Sequence, residues 1–190
     1  MTLQARDAGG RRAAGMPFIL VAVLIDMIAI GLMIPVLPAW VGSFTASATE
    51  QAFAYGLVAF AFGIASFFGG PVLGALSDRF GRRPVLLLGF GAMAASFFVT
   101  AAATALWMLV AVRLFSGAMQ ANVAVAQAYV ADITPAGDAR ARRFGLLGAM
   151  LGIGYTLGPV LGGVLGAVDL RLPFVVAGVL ALVNTAYGAL

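Results

Sequence analysis

The chain has 190 residues, 63% of them hydrophobic and 9% charged, at a mean hydropathy of +1.07. Soluble domains carry about a quarter charged residues, so a soluble globular domain is excluded. With no cysteine, no histidine and only seven acidic residues, there is little material for a disulfide scaffold, a metal site or a hydrolytic centre. No metal, no cofactor and no enzymatic chemistry are expected.

A membrane helix needs roughly 20 mostly apolar residues, and six segments qualify, over 17–39, 52–76, 85–104, 106–131, 144–167 and 172–190. Residues 1–16 form an N-terminal tail and 17–190 an all-α bundle of six membrane spans. The joints are short and hold nearly all the charge: "RRAAGMP" before the first span, "GSFTASATEQ" after it, "SDRFGRRP" after the second and "DITPAGDARARR" after the fourth. The net charge of +4 comes from arginine, and this placement reflects membrane topology rather than nucleic-acid binding.

The arginines set the orientation. Arg6, Arg11 and Arg12 lie in the tail, Arg79, Arg82 and Arg83 in the second joint, and Arg140, Arg142 and Arg143 in the fourth. The first and third joints have none and the fifth has only Arg171. Excess arginine marks the cytoplasmic side, so the N-terminus is expected in the cytoplasm of a multi-pass inner or plasma membrane protein.

The first span, "LIDMIAIGLMIPVLP", places Asp26 near its middle, and the fourth, "AVRLFSGAMQANVAVAQAY", carries Arg113. A charge at that depth costs about 2.5–3.5 kcal/mol on insertion scales and is retained for a reason. Both are candidates for proton or substrate handling. On a straight helix, residues seven apart are displaced by only about 20°, so Arg113, Gln120 and Gln127 are expected to form one polar stripe, with Ser116 beside it. Lipid cannot satisfy such a stripe, so it faces protein or a watery cavity. Asn122 points nearly the opposite way, toward a different contact.

The fifth span reads "GLLGAMLGIGYTLGPVLGGVLG", with Gly154, Gly158, Gly162 and Gly166 every four residues and a second pair in Gly148 and Gly152. Small residues at that spacing let two helix backbones approach closely, and Pro159 is expected to kink the helix. The second span has a looser series in Gly56, Gly63, Gly70 and Gly74. Six spans also divide into two triplets of opposite topology, a 3+3 inverted repeat, with Asp26 and Arg113 in the first helix of each triplet.

These motifs carry a resemblance. "GALSDRFGRRPVLLLG" resembles the loop signature between the second and third helices of the major facilitator superfamily, and "VRLFSGAMQAN" its fourth-helix signature. "GYTLGPVLGG" is similar to the fifth-helix signature of its drug–proton antiporters. "LIDMIAIGLMIPVLP" and "AYVADITPAGDARARRFG" are similar to stretches of the tetracycline efflux proteins. The resemblance implies the N-terminal six-helix half of a twelve-helix transporter. It assigns Arg113 to proton coupling and Asp26 to substrate or proton handling. Gly154, Gly158, Pro159, Gly162 and Gly163 become the antiporter helix. One difference stands out: the tetracycline exporters carry an acid inside the third helix, whereas "PVLLLGFGAMAASFFVTAA" has none.

The second joint brings Gly74, Asp78, Arg79, Gly81, Arg82 and Arg83 together. Asp78 at a helix C-terminus and Arg82 and Arg83 at an N-terminus all oppose the helix dipoles. The resemblance makes the joint a cytoplasmic gate in which Asp78 faces another helix's N-terminus, and Asp132 is a local partner for Arg82 or Arg83. The expected function is proton-coupled export of an amphipathic small molecule, a drug such as tetracycline. The expected partners are protons, the bilayer, and a C-terminal six-helix half or a second copy, with no nucleic acid. Solute uptake by symport and a non-transporting six-helix assembly module are the alternatives.

Overall fold

The computed structural model describes residues 2–120 and 122–189, with side chains from Gly15 onward. Among the described residues it consists of eight helices and no strands. They are α1 (Thr2–Met33), α2 (Leu37–Gly42), α3 (Ala48–Phe80), α4 (Arg82–Ala101), α5 (Leu106–Ala118), α6 (Asn122–Ile133), α7 (Asp138–Val168) and α8 (Leu172–Ala189). Six stretches are long and apolar enough to cross a bilayer, α1 with α2 making one and α5 with α6 another. In hydrocarbon every backbone N–H and C=O must be satisfied within the segment, which is why apolar runs of this length fold as helices.

The ends of the spans differ from the sequence reading in instructive ways. Helix α1 begins at Thr2, so the expected tail over 1–16 continues the first span as helix; the side chains of Arg6, Arg11 and Arg12 fall outside the described residues. The first span breaks at residues 34–36, where Ile34 N–H donates to Gly31 O at 3.1 Å and Val36 N–H to Met33 O at 3.1 Å. Proline suits the opening of the short α2, because its missing N–H would be unpaired there in any case. Helix α3 opens on Ser47, whose hydroxyl accepts from Glu50 N–H at 3.2 Å, while the Glu50 carboxylate accepts from Ala46 N–H at 2.7 Å. Between α3 and α4 a single residue, Gly81 at φ +96°, makes the turn, a conformation that a side chain would disfavour. Helix α7 runs continuously through Pro159 from Asp138 to Val168.

The pairing of helices has the symmetry of the expected 3+3 repeat. The most extensive packing is α1 on α7, α3 on α5 and α4 on α8, followed by α1 on α8 and α4 on α5 with α6. Exchanging the first three spans with the last three converts α1–α7 into α3–α5, leaves α4–α8 unchanged, and converts α1–α8 into α4 with α5 and α6. Two apolar clusters fill the interior. One gathers Leu32, Trp40, Phe97, Leu109 and Phe174; the other gathers Ile19, Met27, Leu86, Phe90 and Leu147.

Backbone contact distinguishes two crossings. A Cβ on Gly158 would lie 2.5 Å from Gly31 Cα and one on Gly162 would meet the Leu32 backbone, while Gly154 and Gly166 lie against the side chains of Met27 and Val36. The fourfold glycine run is therefore the face of α7 that seats the first span. Gly148, Gly152 and Gly163 have open space where a Cβ would go. So do Gly56, Gly63, Gly70 and Gly74, which meet no other helix among the described residues. The α3–α5 crossing instead uses Gly69 against the Ala118 backbone and Gly117 against Phe62 O, because these are the positions that the tilt of the two helices brings together.

Gly158→Ala should destabilise the bundle by about 1–3 kcal/mol, as overpacking does when backbone is the obstacle, whereas Gly163→Ala should be close to neutral. Thermal unfolding of the two variants in detergent, read by circular dichroism, checks the difference.

Candidate transport site

Asp26 sits in α1 with 3% of its surface exposed, and Asn122 opens α6 equally buried. The Asn122 amide nitrogen donates to both carboxylate oxygens, at 3.2 Å to Oδ1 and 3.3 Å to Oδ2. The two residues are 96 apart in sequence and meet because α6 packs on α1. The ion pairs among the described residues, Arg82–Asp78 and Arg82–Asp132, do not involve Asp26. Its carboxylate is held by a neutral amide in a region where water is scarce. Such an arrangement leaves the acid free to gain or lose a proton without breaking a salt bridge.

Arg113, on α5, is 2% exposed, and its Nε and Nη2 have no hydrogen-bond partner. These atoms form one edge of the guanidinium, the fork that receives a carboxylate or phosphate in two parallel bonds. An unpaired buried donor is costly, so the side chain is poised for an acceptor. Ser116 is buried one turn on and bonds back to Arg113 O at 3.3 Å.

The expected stripe does not form on one helix. The fourth span breaks between Ala118 and Asn122, so the seven-residue spacing no longer keeps its register. Arg113 is buried on α5, Gln120 lies half-buried in the break with an unpaired side-chain oxygen, and Gln127 is exposed on α6. Asn122 lies beyond the break, where the register argument no longer applies, and its contact is Asp26.

At the arginine-rich end, Arg82 gathers the second joint. It pairs with Asp78 at 2.5 Å and with Asp132 at 3.0 Å, and donates to the buried Ser77 hydroxyl at 2.6 Å. Asp78 in the last turn of α3 and Arg82 in the first turn of α4 each oppose a dipole, and across Gly81 they neutralise one another. Among the described residues Asp78 thus faces Arg82, and Arg82 rather than Arg83 takes Asp132. Arg83 donates to Gly188 O at 2.8 Å, which ties this rim to α8. Arg79 is exposed and lies 5.4 Å from the Phe80 ring centre, and Gly74 O accepts from Ser77. In the fourth joint, Arg140 donates to Ala131 O and Thr134 O, and Arg143 to Ile133 O. These arginines cap the carbonyl end of α6, where a cation is favoured.

Sequence reasoning missed Asn184, whose buried amide donates to Ala22 O at 2.9 Å and ties α8 to α1. A lone asparagine in "GVLALVNTAYGAL" was the available signal. It also missed Gly89, against which the Asn122 amide rests; nothing in the sequence marks that position.

A six-span half-bundle with one buried acid, one buried arginine and an arginine-rich rim belongs to the class of multi-pass membrane transporters. The description of the Major Facilitator Superfamily matches residues 19–190, and the chain belongs to that family. It is 45% identical over 170 residues to the class C tetracycline resistance protein of Escherichia coli, covering 90% of this chain and 42% of that protein. It is 41% identical over 165 residues to the class B protein of the same species, covering 87% of this chain and 41% of that one. The crystal structure of the human organic anion transporter MFSD10 superposes with a TM-score of 0.79 at 27% identity, covering 94% of this chain and 46% of that one. The chain thus spans less than half the length of these relatives.

The Arg82 cluster is testable by a double-mutant cycle between Arg82 and Asp132. Exposed pairs contribute about 0.2–1 kcal/mol, so the coupling energy should fall in that range and shrink as salt is raised. The same cycle between Arg83 and Asp132 should give none.

Proposed function

We propose that this chain forms the N-terminal half of a proton-coupled exporter of an amphipathic small molecule, a drug such as tetracycline, with its N-terminus and arginine-rich rim in the cytoplasm. The observation that carries the reading is Asp26: a buried carboxylate where α1 and α6 meet, bonded by an amide and, among the described residues, by no cation. A proton arriving there discharges the acid, and its departure restores a charge that hydrocarbon disfavours. The energy of that change is available to bias one arrangement of the helices over another. Similarity to tetracycline resistance proteins and to an organic anion transporter supports an amphipathic substrate. The third span carries Ser96 buried at its centre and no acid.

Arg113 complements Asp26. Its unpaired fork is satisfied when a second conformation, or a substrate oxygen, brings it an acceptor. Helix interruptions at 34–36 and 119–120 fall in the first helix of each triplet, and transporters that rock around a central site form it from interrupted helices. The chain supplies one wall of such a site. Helices α3 and α7 leave large apolar side chains uncovered, Phe53, Phe60 and Phe67 on one and Val160, Val164 and Val168 on the other. Such faces can meet lipid or protein; relatives more than twice as long support a second six-helix bundle there, either a C-terminal half or another copy.

In everted vesicles carrying this chain together with a matching C-terminal half, Asp26→Asn should lower proton-driven drug export at least tenfold while expression and drug exchange at zero gradient persist. Unchanged drug-dependent proton flux in the variant would remove Asp26 from the mechanism. The chain expressed alone should be inactive as a monomer and gain activity with a matching C-terminal half. Coupled efflux by a monomer verified by its mass in detergent would exclude the two-bundle arrangement.

A further inference from the structure

Asn122 is held from two sides. Its amide nitrogen donates to both oxygens of Asp26 at 3.2 and 3.3 Å, while its amide oxygen rests against Gly89 of α4, where a Cβ would overlap it. All three residues are buried, and Asn122 is the first residue of α6, directly after the break in the fourth span. Three helices therefore converge on one amide. Ordinary helix packing does not require this, because an alanine and a smaller apolar side chain would fill the same space without burying a polar group.

The chemistry of a buried, proton-exchanging acid explains the choice. An ionised carboxylate only accepts hydrogen bonds, whereas a carboxylic acid also donates one through its O–H. A partner that serves only one form leaves the other unsatisfied, at a cost of about 1–3 kcal/mol for a buried polar group. An amide answers both: its NH2 donates to the carboxylate and, turned over, its carbonyl oxygen accepts from the acid. Turning exchanges the nitrogen and oxygen positions, and that motion sweeps the side on which Gly89 has no Cβ. We infer that Asn122 is the positioning residue that partners Asp26 in both protonation states, and that Gly89 is the seat that lets its amide turn.

The step is a simple proton transfer. A proton from water adds to an Asp26 oxygen, the N–H···O bond is given up, and an O–H···O bond to the Asn122 carbonyl replaces it. No other covalent bond changes. Other titratable groups on the helices packed against α1 lie elsewhere. Tyr129 of α6 abuts Gly15 and Tyr187 of α8 stacks on Phe18, both toward the arginine-rich end, and Tyr155 of α7 is exposed. Asp132, Asp138, Arg140, Arg142 and Arg143 belong to that same rim, and Arg113 makes no hydrogen bond or ion pair to Asp26.

The inference rests on the proposed role of Asp26 as the proton-handling acid, and its test does not need transport. Acidification of the purified protein, followed by infrared difference spectroscopy, should raise a carboxylic C=O band that is lost in Asp26→Asn. In Asn122→Leu, nearly the same shape without the amide, the band should move to the higher frequency of an acid lacking a partner. Gly89→Ala should shift it in the same direction and add nothing to Asn122→Leu, because both act through one amide. If Asn122→Leu fails gel filtration, the exchange Asp26→Asn with Asn122→Asp carries the test, and a band should return at the original frequency. A band indifferent to Asn122→Leu, independent effects of the Gly89 and Asn122 changes, no band in the exchange variant, or no Asp26-dependent band at all would overturn the inference. Proton-driven efflux measured separately distinguishes the two readings. Efflux with a band indifferent to Asn122 removes only this inference, and the expected band shifts without efflux remove only the transport reading.

Discussion

Lipid gives helices no hydrophobic reason to associate, because its chains are as apolar as leucine. This bundle therefore depends on backbone-to-backbone contact where α1 crosses α7, with Gly31 and Gly158 meeting at their Cα atoms. The crossing fixes the rotation of α1. With Gly31, Leu32 and Met27 turned toward α7, Asp26 falls on the side that faces α6, within reach of Asn122. A wider separation at Gly158 would leave the acid to lipid or to a void. The second crossing, Gly69 and Gly117 between α3 and α5, is the counterpart under exchange of the two triplets. It sets α5 so that Arg113 is buried.

The polar groups of the interior divide by what they bond. Asn184 anchors α8 to the Ala22 carbonyl, and the Trp40 indole donates to Thr100 O at 3.0 Å; these hold the frame. Asp26 with Asn122 is satisfied by a neutral partner, and the Arg113 fork is not satisfied at all.

The arginine-rich rim obeys a different rule. There water is close, individual ion pairs contribute little, and the value of the cluster is geometric. Arg82 joins the ends of α3, α4 and α6, and Arg83 joins the start of α4 to the end of α8. Four helix ends are thus held by two neighbouring residues across a turn that only Gly81 makes easily.

Read as a string, the chain disclosed six spans, their alternation, the glycine face of α7, the isolation of Asp26 and Arg113, and the Arg82–Asp132 pairing as one of two choices. All but the Arg82–Asp132 pair, which joins α4 to α6, are local: hydropathy, arginine placement and four-residue spacing act through neighbours along one helix. The polar stripe of Arg113, Gln120 and Gln127 failed because it assumed an unbroken helix, and the fourth span breaks within it. Gly56, Gly63, Gly70 and Gly74 looked like a packing face but point to open space, because the sequence shows that a face is smooth and not what lies opposite it. The union of Asp26, Asn122 and Gly89 was invisible for the same reason. It joins three helices far apart in the chain, and only the tilt and rotation set by the two glycine crossings decide that they meet.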